Sequence, residues 1–283
     1  MAIYPERAVA WVNRALVWLS DTALGPLAGL APGVSLLIVS LVTAGAMVPV
    51  IARTSNQPRI AATKRRIHAA LLEVRLFNDD PRAVFRALGD ALRYNAIYLR
   101  LSLVPLMWMA VPLLLIVVHL HPFYGYAGLE PGAAALVKVQ LREDAANTAV
   151  ERLALEAPTA VRIETPAVRL AGSNEVLWRI VPEAPGGYVL TIRVGEDAVS
   201  KSLHVSSGVT RRSPSRLGPA IVDQLLYPSE PPLDGNGPVA SIEITYRETG
   251  IDVLGWRVHW TIVYAVLSIV AAFILARWRG ITI

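Results

Sequence analysis

Three histidines, His119, His121 and His259, stand at the ends of long apolar segments, and imidazoles gathered at one depth are a metal-binding set. No carboxylate lies beside them at useful spacing. The neighbouring Phe123, Tyr124, Tyr126, Trp256 and Trp260 read instead as an interfacial aromatic belt. Asp79 and Asp80 could serve as a general acid and base on paper, yet an Asp-Asp-Pro sequence between two helical patterns serves to cap the second helix. No nucleophile elbow, Ser-Lys dyad context or glycine-rich phosphate loop is evident. The absence of cysteine removes thiol catalysis, disulfides and iron–sulfur clusters. The expectation is a non-enzyme with no catalytic residue, metal site or cofactor.

Two other residue sets remain. Hydroxyl groups punctuate the apolar segments at Ser35, Ser40, Thr43, Ser102, Thr261, Tyr264 and Ser268. Ser40, Thr43, Tyr264, Ser102 and Ser268, with the flexible Met47 and Met107, could line a semi-polar intramembrane groove. The alternative is helix–helix hydrogen bonding, with Ala44, Gly45 and Ala46 permitting close approach. The second set is basic: Lys64, Arg65, Arg66, Arg75, Arg82, Arg86 and Arg93 form a candidate cytoplasmic contact surface.

The elements that must position these residues follow from hydropathy and charge. The chain has 283 residues, 54% hydrophobic and 17% charged, with a formal net charge of +5. Such a composition fits a membrane protein better than a soluble domain. A hydrocarbon core of about 30 Å needs roughly 20 helical residues. Segments 22–52, 101–121 and 256–276 meet that need, so three transmembrane helices are expected. Residues 53–100 carry ten Lys/Arg against four Asp/Glu, whereas residues 119–259 carry 13 against 16. The short basic segment and Arg277 and Arg279 in the tail 277–283 therefore belong in the cytoplasm, with the N-terminus outside. The pattern suits a bacterial inner membrane. Residues 1–21 read as an amphipathic helix in the plane of the outer leaflet. Glu6, Arg7, Asn13 and Arg14 lie on one side, Val9, Val12, Leu16 and Leu19 on the other, with Trp11 and Trp18 suited to the interface.

Within 53–100 the first helix repeats Ile60, Ile67 and Val74 at seven-residue spacing, interleaved with Thr63, Ala70 and Phe77, which is a coiled-coil seam. Asn78 and Asp79 break it. The second helix presents Phe85, Leu88, Leu92, Asn95 and Leu99 on one stripe and runs into the second span, giving an antiparallel hairpin. Beyond that span the periodicity becomes two. Leu136–Leu141, Glu175–Pro182, Tyr188–Val194, Val199–Val205 and Ala240–Tyr246 predict strands of an extracytoplasmic β-sandwich over 130–250. Residues 206–238 read as a long loop with a helical turn at Ala220–Tyr227.

An outer helix, an N-out span ending near Val48-Pro49-Val50, a hairpin with Gln57, Lys64-Arg65-Arg66-Ile67 and an Asn78-Asp79-Asp80 tip, and a span with Val104-Pro105-Leu106-Met107 and Met109-Ala110-Val111-Pro112 form a familiar order. It resembles the YidC/Oxa/Alb superfamily of membrane protein insertases, over roughly residues 5–125. Bacterial insertases carry an arginine about one turn before the proline of the first core span, and Thr43–Gly45 has none. With three spans rather than five, the chain looks more like the compact archaeal and endoplasmic-reticulum relatives. The resemblance implies a membrane chaperone whose partners are the lipid bilayer, membrane-protein clients and, through the basic hairpin, the ribosome. The alternative is a non-catalytic subunit of a larger membrane complex, with the β-sandwich gripping an unknown extracytoplasmic partner.

Overall fold

The computed structural model describes residues 5–77, 79–143, 152–170, 172–206, 208–253 and 255–281. The side chains of Glu6 and Arg7, and Asn78 at the hairpin tip, lie outside the described residues. The chain forms two compact units, Met1–Ser35 with Ile116–Trp260, and Leu36–Leu115 with Thr261–Ile283. Among the described residues there are six α-helices: α1 Pro5–Leu24, α2 Pro32–Thr54, α3 Gln57–Leu76, α4 Pro81–Tyr124, α5 Ile221–Leu226 and α6 Trp260–Trp278. Of these, α2, α4 and α6 are long and apolar enough to cross a membrane.

Capping chemistry sets the ends of the hairpin helices. The Asn56 side chain accepts from the Arg59 amide at 3.2 Å to start α3, and Pro58 occupies its first turn. The Asp80 carboxylate accepts from the Arg82 amide at 2.9 Å to start α4, as its sequence context predicts. From there α4 continues without a break for 44 residues, so the second hairpin helix and the second apolar segment are one rod of about 66 Å.

The seam of α3 is as expected at Ile60, Thr63 and Ala70, which are buried, while Ile67 and Val74 are half-buried. Phe77 at its end is exposed. The matching face of α4 differs from expectation. Phe85, Leu88, Leu92, Asn95 and Leu99 are all exposed, and the buried or half-buried positions lie one residue earlier, at Val84, Ala87, Ala91, Tyr94 and Tyr98. Both stripes have heptad spacing, and side-chain size decides between them. The inward stripe carries the small Ala87 and Ala91, and the outward one carries the larger Phe85, Leu88, Leu92 and Leu99.

In the other unit, eleven strands are described: β1 Ala135–Leu141, β2 Leu153–Glu156, β3 Val161–Ile163, β4 Val168–Leu170, β5 Glu175–Pro182, β6 Gly186–Val194, β7 Asp197–Val205, β8 Ser215–Arg216, β9 Val239–Ile244, β10 Gly250–Val253 and β11 Trp256–His259. One antiparallel sheet has the order β3-β5-β1-β9-β8, with β4 also on β5; a second is β2-β6-β7, and β10-β11 is a separate hairpin. Val137, Val139, Val176, Trp178, Ile180 and Ile242 from the first sheet share one core with Leu190, Ile192, Leu203 and Val205 from the second. Two sheets closed on one core are compatible with a sandwich. The inward alternation of Leu190, Ile192 and Val194 agrees with the period-two reading. A two-residue turn at Gly195-Glu196 joins β6 to β7, where Gly195 supplies the positive φ of 65° that a tight hairpin needs.

Candidate functional site

The seven groove candidates do not form one groove. In the helical unit, Ser40, Thr43 and Met47 of α2 are buried, as is Tyr264 of α6. The Tyr264 hydroxyl donates to Thr43 Oγ1 at 3.2 Å, and half-buried Ser268 follows one turn later on α6. Ala44 and Val48 of α2 and Ala271 and Ala276 of α6 are buried as well. A hydrogen bond between buried side chains thus joins α2 to α6. Met107 is separate and 71% exposed, since it follows the buried Pro105 by two positions on α4 and so faces nearly the opposite way.

Ser102 belongs to a different feature. It lines a half-enclosed cavity of about 200 Å³ with Ile51, Ser55, Ile60, Tyr98, Pro105, Leu106 and Met109. The cavity lies where the end of α2, the start of α3 and the middle of α4 converge. Pro105 has no amide hydrogen, so the carbonyl of Leu101 loses its usual helical donor beside Ser102. Ser55 turns its hydroxyl back to the Ile51 carbonyl at 2.6 Å and accepts from the Gln57 side chain. The lining is therefore mostly apolar with several hydroxyls, at the junction of apolar and basic segments.

Above the cavity the basic residues begin. Lys64 Nζ lies 5.3 Å from the centre of the Tyr98 ring, and Arg66 lies 5.3 Å from that of Tyr94 while donating to its hydroxyl at 3.1 Å. Arg65, Arg75, Arg82, Arg86 and Arg93 are exposed and form no ion pair among the described residues. Sequence reasoning missed Ser55, Tyr94 and Tyr98. The signal was the i, i+4 pair of tyrosines on the inner heptad of α4, facing the Lys64-Arg65-Arg66 run.

The β-containing unit buries two charged side chains, Lys201 and Arg212. Lys201 is fully buried and donates to Glu230 Oε2 at 2.6 Å, to the Ser213 carbonyl at 2.7 Å and to Ser213 Oγ at 2.8 Å. Burial pushes its ammonium down to about 8 against the pull of Glu230. Burial alone would raise the Glu230 carboxyl, but Lys201 and the Ser202 amide hold it below the usual range. A lysine of lowered pKa against a serine hydroxyl has the ingredients of a Ser-Lys dyad. Here both residues are sealed from solvent, and Ser213 also donates to Glu230 at 2.9 Å, so the cluster braces the fold.

Arg212, also buried, donates to the carbonyls of Phe123, Tyr126, Ser206 and Gly208, tying the last turn of α4 to the loop after β7. Its guanidinium covers the carbonyl end of a helix, where a cation is favoured. Asn13 of α1 is buried, donating to the Gln224 carbonyl of α5, and Asp21 pairs with Arg211 at 3.3 Å. The polar side of α1 thus faces α5 and its loop, around a cavity of about 170 Å³, while Trp11, Val12, Trp18 and Leu19 are exposed. His121 shares a 3.0 Å hydrogen bond with the Tyr126 hydroxyl. Among the described residues no three His, Asp or Glu side chains are grouped to hold a metal.

No protein-family model matches the chain, and no curated protein matches it either.

Proposed function

We propose that this chain is an insertase-like integral membrane protein, a divergent compact relative of the YidC/Oxa/Alb superfamily, with its N-terminus outside and its C-terminus in the cytoplasm of a bacterial inner membrane. The cavity at the α2–α3–α4 junction carries the reading, because it offers hydroxyls and a freed carbonyl where the apolar helices meet the basic hairpin. An emerging segment would be drawn by the exposed arginines, with the ribosome as one source, and its polar flank would pass Ser55, Tyr98 and Ser102. A charge at the centre of an apolar helix costs about 2.5 to 3.5 kcal/mol on insertion scales, so even a small wet recess lowers the barrier usefully. The role is non-catalytic. The exposed Trp11, Val12, Trp18 and Leu19 favour α1 lying in the outer leaflet, and the β-sandwich faces the extracytoplasmic space.

A second reading is a structural subunit of a larger membrane complex. The Thr43–Tyr264 hydrogen bond favours it, since buried hydroxyls that pair with each other join helices rather than receive a client. Photo-crosslinkers separate the two. During synthesis of a small membrane reporter, crosslinks are expected from positions 55 and 102 and not from position 40, and depletion of the chain slows reporter insertion. If insertion is unaffected and crosslinks arise only from the β-region to a stably co-purifying protein, the subunit reading holds.

A further inference from the structure

The hairpin carries a second heptad that α3 leaves uncovered. Along α4 a triplet recurs every seven residues: Val84-Phe85-Arg86, Ala91-Leu92-Arg93 and Tyr98-Leu99-Arg100. In each, the first residue is buried or half-buried, the second is an exposed large apolar side chain and the third is an exposed arginine. Phe85, Leu92 and Leu99 are 74%, 64% and 57% exposed, and Leu88 falls between them at three-residue spacing. Asn95 occupies the remaining position of the stripe, as a polar residue that fixes register does in a coiled coil. Successive helix residues turn by about 100°, so the arginines form a ladder along one edge of the apolar stripe.

Three occupants could cover such a face, and the observations select one. Phe85 precedes Leu101 by sixteen residues on a single unbroken helix, which is about 24 Å of rise, so a rod continuing straight out of a span holds the far end of the stripe clear of lipid. A second copy would add another arginine ladder, and Asp90 is the one acid between Pro81 and Arg100 to meet it. A helix with apolar residues at heptad spacing and acids at every seventh position matches both the stripe and the ladder.

We propose that Phe85, Leu88, Leu92 and Leu99, with Arg86, Arg93 and Arg100 beside them, are the docking seam for one acidic amphipathic helix of a partner protein. The proposal rests on the hairpin standing in water, under either function above. The probe is a labelled synthetic helix with leucines alternating at three- and four-residue spacing and Glu at every seventh position. It is titrated by fluorescence anisotropy with the full chain in neutral-lipid nanodiscs. Saturable binding is expected, weakened at least tenfold by Arg86→Glu with Arg93→Glu and recovered when the peptide's Glu residues become Lys. Arg59→Glu with Arg279→Glu, which changes net charge equally at exposed positions outside the contact surface, leaves affinity within twofold, and circular dichroism checks that helicity is retained. Absent binding to the unmodified chain, or equal loss with both double variants, overturns the seam. So does efficient disulfide-linked dimerisation of the Leu92→Cys chain in membranes, which would assign the stripe to a second copy. Failure here with reporter insertion intact removes the seam alone, whereas lost dependence of insertion on the chain removes the insertase reading.

Discussion

The β-containing unit and the helical unit treat polar and apolar groups in opposite ways. In the first, Lys201 meets Glu230, Arg212 meets four carbonyls, and both sheets bury their apolar faces against each other. In the second, Arg65, Arg75, Arg82, Arg86 and Arg93 form no ion pair among the described residues, and only 6% of the most apolar stretch of α4 is buried within the chain. One unit pairs its buried charges within the chain. The other leaves two kinds of surface uncovered within the chain, long apolar faces on helices of membrane-spanning length and exposed basic side chains on the hairpin. Substitution should therefore be felt as lost stability in the first unit and as lost contact in the second.

The largest effect is expected where internal satisfaction is most complete. Lys201→Met strands the Glu230 carboxylate in a buried site, and breaking such a pair costs about 3 to 5 kcal/mol. Adding Glu230→Gln removes the stranded charge, so the double variant should be more stable than Lys201→Met alone in thermal unfolding followed by tryptophan fluorescence. A double variant that is still less stable would show that the two residues do not act as a pair. The same pair sets a pH dependence. Glu230 is held below its usual range in the fold, so its contribution is present above its unfolded pKa and is lost as pH falls through the folded value. Lys201, lowered to about 8, works in the other direction: its penalty is present below 8 and is relieved as pH rises toward its unfolded value. Unfolding temperature should therefore fall in acid, and the Glu230→Gln chain should lose part of that acid slope. An unchanged slope would assign the acid sensitivity to other carboxylates.

A somewhat smaller loss is expected at Gly128. A Cβ there would lie 1.7 Å from the Ser206 carbonyl oxygen and 3.0 Å from the Arg212 guanidinium, so backbone must move in the loop that Arg212 organises. Gly128→Ala should cost about 2 to 3 kcal/mol, the upper range for forced overpacking. Gly29 has open space around its Cβ position, and Gly29→Ala is the matched control with little effect. Equal melting of the two variants would mean that the loop yields freely and that the Arg212 cluster is soft.

The two units also differ in how far they can be read from sequence. Alternation picks out β1, β5, β6, β7 and β9 because each has six or more residues with one face in the core. It does not pick out β3, β4 or β8, which have two or three residues and depend on a neighbouring strand for their conformation. Lys201 sits at an inward position of β7, so its burial is legible, while Glu230 comes from 29 residues away and is not. On α4 the period is correct and the face is not, because two heptads one residue apart compete and the size of Ala87 and Ala91 decides between them. For the groove, hydroxyl residues are recognisable, but nothing local distinguishes the buried Ser40 from Ser102 at the cavity.

The smallest effect is expected inside the helical unit, at the hydrogen bond that joins Tyr264 to Thr43. Interhelical hydrogen bonds in membrane proteins are worth about 0.6 kcal/mol on average, because the separated helices find other partners. Tyr264→Phe removes the donor to Thr43 and keeps the ring, so it should lower stability by about that amount. Thr43→Val should cost no more than Tyr264→Phe, and the double variant should lose little beyond Tyr264→Phe alone, since the bond between the two residues is already gone. Reporter insertion should stay within twofold throughout, because these hydroxyls face each other and not a client. A tenfold loss of insertion in Tyr264→Phe, with stability nearly unchanged, would turn this contact into a working surface. The hydroxyls of α2 and α6 would then belong with Ser102 after all, and the helical unit would have two polar routes where the geometry supports one.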